Sequence, residues 1–558
     1  RSVRDTRGFK AQANILYDLI DAEQLDGLVI QNLMCNLLDP DETHQFYERY
    51  RPLPIVSLGR QPPEGIPYVQ SGGYEGMRKA IVHLIEFHGR RRIAFVKGLP
   101  NYRPHDERYQ AYVDVLDEYG LPFDPARVAL PHDAAEVEQP DWGQVALCRL
   151  LDEQKADIDA LVTNDDRFAH NLLPELQVRG IRVSDDIALV SFDDEEGSHC
   201  LTPPLTTVPI PIYEMGRKAA ETLLAKLEGQ KVLDQAVDVP SDRLIVRQSC
   251  GCLDPKVTQV VAGPVARTEA AEPLEVSLVG QRERIVAGMV RAAENSAAGV
   301  TPGWAGQLLD GFVAAHTTAE TGEAPAHFLS TLDEILRQVI AADGDIGVWQ
   351  QVLSTLRRQL LPYLSIDEAG TLSRDRAEDL WLQAQVMIGG VAQRALAYRE
   401  LQAERRRRIM NEIGTALATN FGINDLGDIL ARELPRLGIL RGYLSLYEDP
   451  QPYRYPQPAP EWSRLVLAYD EEAPAGSGRV ELEAGGQRFP SRQLMPPEFL
   501  PQQGTYNLMV QALYFQNEQI GLTVFELGPE DGATYELLRA QISSALKGDQ
   551  LFQEAQQA

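Results

Sequence analysis

The stretch between Asp159 and Val208 constrains the fold of this chain more than any other. It contains two short apolar runs, at 160–163 and 187–192, that have the length and branched residues of buried strands. Between them lies a segment of helical period that ends at Gly180. A strand, a crossover helix and a second strand form a right-handed parallel unit, so the sequence predicts a parallel sheet.

Polar residues follow each of these two strands directly. Asn164, Asp165 and Asp166 come after the first strand, and Asp193 opens an acidic run after the second. Because ligands bind beyond the carboxyl ends of the strands in open parallel sheets, we expect a small-molecule site at this edge. The sequence contains neither a G-x-S-x-G elbow nor a phosphate-binding loop, so the pattern favours a sensor over an enzyme.

Length and charge limit the classes of function. With 558 residues the chain is too long for one core, and we expect three or four domains. The net charge of −28 argues against nucleic-acid contacts from this segment, because phosphate binding requires a basic face. No apolar run is long enough to span a membrane, and the N-terminus does not have the pattern of a signal peptide. The cysteines are scattered along the sequence, which suits a reducing compartment. We therefore expect a cytoplasmic protein that contacts no membrane.

Strands and helices alternate from Arg1 to Cys252, a pattern typical of a doubly wound α/β fold. The predicted strands are 27–30, 54–58, 92–97, 160–163, 187–192, 206–209 and 243–248. This region contains, in order, the segments GFKAQANILYDLI, DGLVI, LPIVSLG, GMRKAIVHLIEFHGRRRIAFVKG, RYQAYVDVLDEYGLPFD, ALVTNDD, GIRVSDDIALVSFDD, LTPPLTTV and RLIVRQSCGC. They resemble the ligand-binding domain of the lactose-repressor (LacI/GalR) family. The resemblance implies the two-lobed fold of periplasmic binding proteins, with a small polar, sugar-like ligand closed between the lobes.

The candidate ligand-binding residues are Ser71, Tyr74, Arg108, Asn164, Asp165, Phe168 and Asp193. Asp193, or as a weaker alternative Asp194, is a candidate because it follows the second strand, and the Phe168 ring is a candidate for stacking on the ligand. The resemblance implies roles for Arg108 and Asp165. Arg108 aligns with an arginine that hydrogen-bonds ligand hydroxyls, and Asp165 aligns with a ligand-binding aspartate that Asn164 supports. A guanidinium fork suits a diol or a carboxylate. The structural alternative for Asp165 is to cap the following helix, and Asp166 fits that N-cap role better.

These candidates have structural alternatives. Arg108 is otherwise a surface residue paired with Asp106 or Glu107, Asp193 is otherwise part of an exposed loop, and a helix-face Phe168 is otherwise core. Two features depart from the family pattern. The opening strand, helix and strand of the family would precede Arg1, and 71–73 reads Ser-Gly-Gly where an Asp-Asn pair is common. The second departure supports the alternative of a ligand-free dimerisation or interaction scaffold.

The histidines and paired cysteines give no metal signal in the sequence. His83 and His88 are predicted on one helix, where their spacing directs them to different sides. Cys250 and Cys252 have no partner at the usual zinc spacing. The sequence therefore predicts no metal site, and we expect no cofactor.

The rest of the chain divides by composition and period. Residues 1–252 form the predicted α/β module, 253–272 a linker, 273–372 a helical bundle, 373–410 a long connecting helix and 411–558 an α+β module. The strand pair LMVQALYFQNEQIGLTVFEL and its flanking helices resemble a GAF domain. The fold class is thus a two-lobed α/β domain like a periplasmic binding protein, then an all-α connector and an α+β GAF-like domain.

This order of modules resembles bacterial multidomain signalling proteins. It implies the input region of a regulator, which relays lobe closure to an output outside this chain, such as a diguanylate cyclase or a histidine kinase. We expect no enzymatic activity in the chain itself, and we expect a homodimer. A LacI-type transcriptional repressor is the alternative, and it requires a helix-turn-helix before Arg1.

Overall fold

A computed structural model describes the chain except for residues 1–10, 21–23, 32–39, 60, 101, 138, 140, 231, 233–235, 254–277, 279, 318–323, 365–371, 420–421, 454–457, 472–478, 484, 501–504, 529–531 and 558. The predicted linker at 253–272 lies, apart from its first residue, outside the described residues. Among the described helices, none combines the length and the apolar character needed to cross a membrane.

The front module contains two parallel sheets. The first has the order β1-β2-β3-β8, with strands Leu28–Gln31, Ile55–Leu58, Tyr68–Gly72 and Ala236–Pro240. The second has the order β5-β4-β6-β7, with strands Val128–Ala129, Ile93–Val96, Ala160–Thr163 and Ala188–Val190. The helices of this module are α1 (Leu16–Leu19), α2 (Pro40–Glu48), α3 (Tyr74–Glu86), α4 (Arg103–Glu118), α5 (Ala134–Val137), α6 (Trp142–Cys148), α7 (Asp166–Val178) and α8 (Ile212–Leu227).

The β6–α7–β7 unit forms as the sequence predicts. Every residue of β6 and β7 is buried, because helices cover both faces of a parallel sheet and only continuous apolar runs tolerate this. The helix α7 begins after an N-cap residue and is followed by Gly180, which has a φ of +72°. The fold of this module is therefore α/β, with the parallel sheets of a periplasmic-binding-protein-like domain.

Two predicted strands are wrong. Residues 206–209 and 243–248 form only isolated bridges, in which Thr206 pairs with Val190 and Thr207 pairs with Ile245. Conversely, the sequence reading missed β3, β5 and β8. The run YVQSG of β3 carries Gln70 and Ser71 at buried positions, so it lacks the apolar signature on which the strand predictions depended.

A helical bundle forms a compact unit of its own. Its helices are α9 (Arg282–Ala293), α10 (Trp304–Thr317), α11 (Ala324–Ala341) and α12 (Trp349–Leu360), together with the first part of α13 (Leu372–Thr419). Aromatic residues fill its core: the Trp304 and Trp349 rings lie 4.8 Å apart, and Phe312 stacks on Trp381 at 5.3 Å. The helical pattern predicted for this region is confirmed in the described residues. The connecting helix is longer than the predicted 373–410, with 48 residues.

The last module is built on an antiparallel sheet. Its path is β11-β10-β9-β14-β13, with β12 beside β10, and its strands are β9 (Arg441–Tyr447), β10 (Trp462–Asp470), β11 (Arg479–Val480), β12 (Gln487–Pro490), β13 (Leu508–Phe515) and β14 (Glu518–Glu526). Two helices accompany it, α14 (Ile423–Glu433) and α15 (Gly532–Gln557). The end of α13 packs into the same core through Met410, Ile413 and Leu417. A β-sheet domain is thus present, and its assignment as GAF-like stays a hypothesis.

The start of the chain contacts this last module, which the sequence did not predict. The side-chain oxygen of Gln12 accepts a hydrogen bond from the Tyr453 amide at 2.8 Å, and the Gln519 amide group donates to the Gln12 carbonyl at 2.6 Å. Ile15 and Leu19 are buried in the core beneath the antiparallel sheet. The segment 11–19 therefore packs as a part of the last module.

The opposite side of this segment contacts the front module. Tyr17 packs against the aromatic cluster that includes Tyr50, and the Tyr50 hydroxyl donates to the Tyr17 carbonyl at 3.1 Å. Asp18 forms an ion pair with Arg49, which follows α2. The segment 11–19 thus connects the first parallel sheet directly to the antiparallel sheet.

Candidate ligand-binding site

A cluster of polar residues, all buried except the half-buried Asp193, lies at the carboxyl end of the second parallel sheet. Asn164 and Asp165 follow β6, Asp193 follows β7, and Arg108 reaches the same place from α4, the helix after β4. Parallel strands present their carboxyl ends at one edge, so residues distant in sequence meet there. The structure thus brings together four of the candidate residues.

Arg108 is the centre of the cluster. It is 3% exposed, its Nη1 donates to the Asn164 carbonyl at 2.6 Å, and its Nη2 lies 3.1 Å from Asp193 Oδ1. Its guanidinium carbon lies 3.6 Å from the ring centroid of Phe192. The surface alternative for Arg108 is wrong, because the side chain is buried and the two acids pair elsewhere, Asp106 with Lys97 and Glu107 with Arg103.

Asp165 immediately precedes the first turn of α7. Its Oδ1 accepts a hydrogen bond from the Phe168 amide at 3.1 Å, so Asp165 is the N-cap and the preference for Asp166 is wrong. Burial raises the pKa of Asp165 to about 6, against the opposing charge of Arg167 at 3.8 Å.

Asp166 has a different role that the sequence reading missed. It is fully buried, and its carboxylate accepts hydrogen bonds from the Glu195 amide at 3.0 Å, the Ser198 hydroxyl at 2.6 Å and the Thr207 hydroxyl at 2.7 Å. These donors come from the loop after β7 and from the segment beyond it. Asp166 therefore fixes the loop that carries Asp193.

Asp193 has an unusual backbone conformation. Its φ is +112°, a value that side-chain-bearing residues rarely adopt. The Asp193 amide donates to the Val208 carbonyl at 2.7 Å, and the Ile210 amide donates to the Asp193 carbonyl at 3.3 Å. Burial raises the pKa of the Asp193 carboxyl well above its usual range, and the positive charge of Arg108 opposes this shift. These contacts hold the carboxylate towards Arg108.

The three remaining candidates are placed elsewhere. Phe168 is packed in the apolar core with Trp142, so the ring that faces Arg108 is Phe192. The Tyr74 hydroxyl donates to Asp114 at 2.8 Å on the flank of α4. The Ser71 hydroxyl hydrogen-bonds the Ser241 hydroxyl. The sequence did contain a signal for Phe192, because it immediately precedes Asp193 at the end of a predicted strand.

Gly73 explains part of the departure from the family pattern. A Cβ atom at this position would lie 2.7 Å from Arg108 Cγ and 2.8 Å from the Pro104 carbonyl oxygen. The Gly73 amide also donates to Glu107 Oε2 at 3.1 Å. The absence of a side chain here lets α4 carry Arg108 close to the start of α3.

Three buried polar atoms of this cluster have no hydrogen-bond partner among the described residues: Arg108 Nε, Asn164 Oδ1 and Asp193 Oδ1. The Asp193 oxygen is close to Arg108 but lacks the alignment of a hydrogen bond. Buried polar groups are nearly always paired, and each such group costs about 1–3 kcal/mol when it is not. A donor and two acceptors of this kind match the hydroxyl groups of a small polar ligand.

Comparison with known proteins agrees with this architecture. Residues 81–250 match the family model of the periplasmic binding protein-like domain. The match begins within α3 and contains Arg108, Asn164, Asp165 and Asp193.

The similar proteins are transcriptional regulators. The chain is 29% identical over 205 residues to the ribose operon repressor of Halalkalibacterium halodurans, covering 36% of this chain and 59% of that protein. It is 29% identical over 223 residues to the transcriptional repressor CytR of Escherichia coli, covering 40% of this chain and 62% of that protein. The chain thus spans less than two thirds of the length of these relatives. A solved complex of the regulator CelR with cellobiose is 28% identical, covers 44% of this chain and 71% of that one, and has a TM-score of 0.37.

Proposed function

We propose that this chain is the sensory region of a regulator and that its front module binds a small polyhydroxylated ligand. The observation that carries the proposal is the cluster of Arg108, Asn164 and Asp193, in which three buried polar atoms find no hydrogen-bond partner in the part of the chain that the structure describes. The guanidinium of Arg108 and the carboxylate of Asp193 can hydrogen-bond vicinal hydroxyls, and the ring of Phe192 packs against one face of the guanidinium. The name of the similar ribose operon repressor supports a sugar as the ligand class.

The ligand must replace the contact between Arg108 and Asp193 or insert beside it. Since the loop of Asp193 is fixed by Asp166, ligand binding acts on two rigid elements, α4 and the loop after β7. Arg108 also lies beside Gly73, which follows β3 of the first sheet, so binding at Arg108 biases the relative position of the two parallel sheets.

The contacts of the segment 11–19 support a direct route for the signal. This segment packs against both the first parallel sheet and the antiparallel sheet. A movement of the first sheet is transmitted to the last module through Tyr17 on one side and Gln12 on the other. The long helix Leu372–Thr419 is the second proposed route, and the output of the whole protein lies outside this proposal.

Thermal-shift screening of pentoses, hexoses, disaccharides and nucleosides, followed by calorimetry of the hits, tests the ligand site. We expect Arg108→Lys and Asp193→Asn to weaken binding at least tenfold, because each loses charge-assisted hydrogen bonds worth about 1.5–3 kcal/mol. Gln110→Ala, on an exposed turn of the same helix, is the matched control and keeps wild-type affinity. Equal affinities in all three variants, or no hit in any class, would refute the site.

A DNA-binding repressor is the second candidate, and the names of the relatives favour it. The two candidates differ in one measurement. A repressor shifts operator DNA from its own promoter region in a gel assay, and the shift changes with the ligand found in the screen. Absence of any shift with the full-length gene product favours the signalling function.

A further inference from the structure

A cavity of about 500 Å³ opens in the last module, and its described lining residues include none of the Arg108 cluster. It lies beside the connection between β9 and β10, and Ile15 of the segment 11–19 forms part of its wall. This volume suits a small molecule, because ligand pockets span about 300–1,000 Å³. We propose that the cavity binds a small quaternary ammonium ion.

Much of the cavity wall is apolar and aromatic. Pro452, Tyr453, Pro458 and Pro460 belong to the connection between the strands, and Trp462 is the first residue of β10. Proline side chains have no rotamer freedom to lose when a ligand covers them. The wall therefore needs little ordering when a ligand binds.

Trp462 supplies the surface that recognises the cation. Its ring already contacts one positive charge, because the guanidinium carbon of Arg488 lies 3.7 Å from the ring centroid. Arg488 is not among the described lining residues, so the indole surface that faces the cavity is a different one. Aromatic rings attract desolvated cations, indole attracts them most strongly, and quaternary ammonium groups are recognised in this way.

The charged residues of the described lining are all acidic. Glu448, Asp449 and Glu461 line the cavity, whereas no Lys, Arg or His does so among the described residues. Glu448 is neutralised by ion pairs with Arg464 at 2.9 Å and Arg488 at 3.0 Å. Asp449 and Glu461 take part in no ion pair within the part of the chain that the structure describes. Their two charges favour a cationic ligand over a neutral or an anionic one.

A ligand in this cavity also contacts the segment 11–19. Ile15 is buried in the wall, and the Gln12 side chain binds the backbone of Tyr453 twice. Gln12 Oε1 accepts from the Tyr453 amide at 2.8 Å, and Gln12 Nε2 donates to the Tyr453 carbonyl at 3.2 Å. A cation bound here therefore stabilises the docked position of this segment. The site is a second input, separate from the ligand site of the front module.

Intrinsic fluorescence of the full chain tests the site. The chain has five tryptophans, and all except Trp462 are at most 6% exposed, so Trp462 is the one most sensitive to a bound ligand. The probes are choline and its uncharged isostere dimethylbutanol, in which carbon replaces the nitrogen. We expect choline to change the emission with a Kd below about 1 mM, and the neutral alcohol to bind at least tenfold more weakly.

Calorimetry measures choline binding in the variants, because Trp462→Leu lacks the fluorescent reporter. We expect Trp462→Leu to weaken binding at least tenfold and Glu461→Gln to weaken it about threefold. Glu471→Gln, at an exposed carboxylate just beyond the other end of β10, is the matched control and binds as the wild type does.

Circular dichroism establishes that each variant is folded, and the comparison of choline with dimethylbutanol is informative even where a variant is not. No binding of choline to the wild type would overturn the proposal. Equal affinities for choline and the neutral alcohol, or wild-type affinity in a folded Trp462→Leu, would overturn it as well.

Discussion

The carboxylate of Asp166 provides the sharpest test of how the candidate ligand site is held together. Asp166→Ala removes three hydrogen bonds to a buried charged acceptor, from Glu195, Ser198 and Thr207. Such bonds contribute about 1.5 kcal/mol or more each, so we expect local stability to fall by about 3–5 kcal/mol. The neighbouring Asp165→Asn is the matched control, because Asn caps a helix as well as Asp and the cost is a few tenths of a kcal/mol.

Amide hydrogen exchange with mass spectrometry measures the loss where it occurs. Peptides covering 187–199 and 200–210 report the opening of the loop after β7, which a global unfolding curve of a multidomain chain does not resolve. A loss of 3 kcal/mol accelerates exchange about 100-fold in Asp166→Ala, while peptides of the antiparallel sheet stay unchanged. Wild-type exchange in Asp166→Ala, or equal acceleration in Asp165→Asn, would refute the role given to Asp166.

Two further predictions concern the same site. Burial raises the pKa of Asp165 to about 6 in the folded protein, compared with about 4 in the unfolded chain. Between these two pH values the folded protein therefore binds more protons than the unfolded chain. As a result, the free energy of unfolding falls as the pH rises from about 4 to about 6. Asp165→Asn should flatten that slope in hydrogen exchange of α7, and an unchanged slope contradicts the shift. Gly73→Ala places a Cβ atom 2.7 Å from Arg108 Cγ and should cost about 1–3 kcal/mol in calorimetry, whereas Gly216→Ala, which meets no atom within 4 Å, should cost nothing. Equal melting temperatures for the two glycine variants would show that α4 adjusts freely.

The sequence alone was sufficient for the parallel core of the front module. The runs at 160–163 and 187–192 are apolar and continuous, and such runs become buried strands because no other environment accommodates them. The same reasoning located the polar residues after β6 and β7, since their position follows from where the strands end. The strand β3 was not predicted, because its buried positions include polar residues and the strand therefore lacks a continuous apolar run.

Tertiary structure alone decided which of these polar residues meet. Arg108 and Asp193 are far apart in sequence, and their contact depends on how α4 and the loop after β7 are placed.

The docking of 11–19 on the antiparallel sheet has the same origin, because it joins the two ends of the chain. Hydrophobic periodicity and the residues that end helices and strands depend on neighbours in the sequence. They can therefore be recognised from the sequence alone. Contacts between distant segments depend on the path of the whole backbone, which the residue pattern of one segment does not specify.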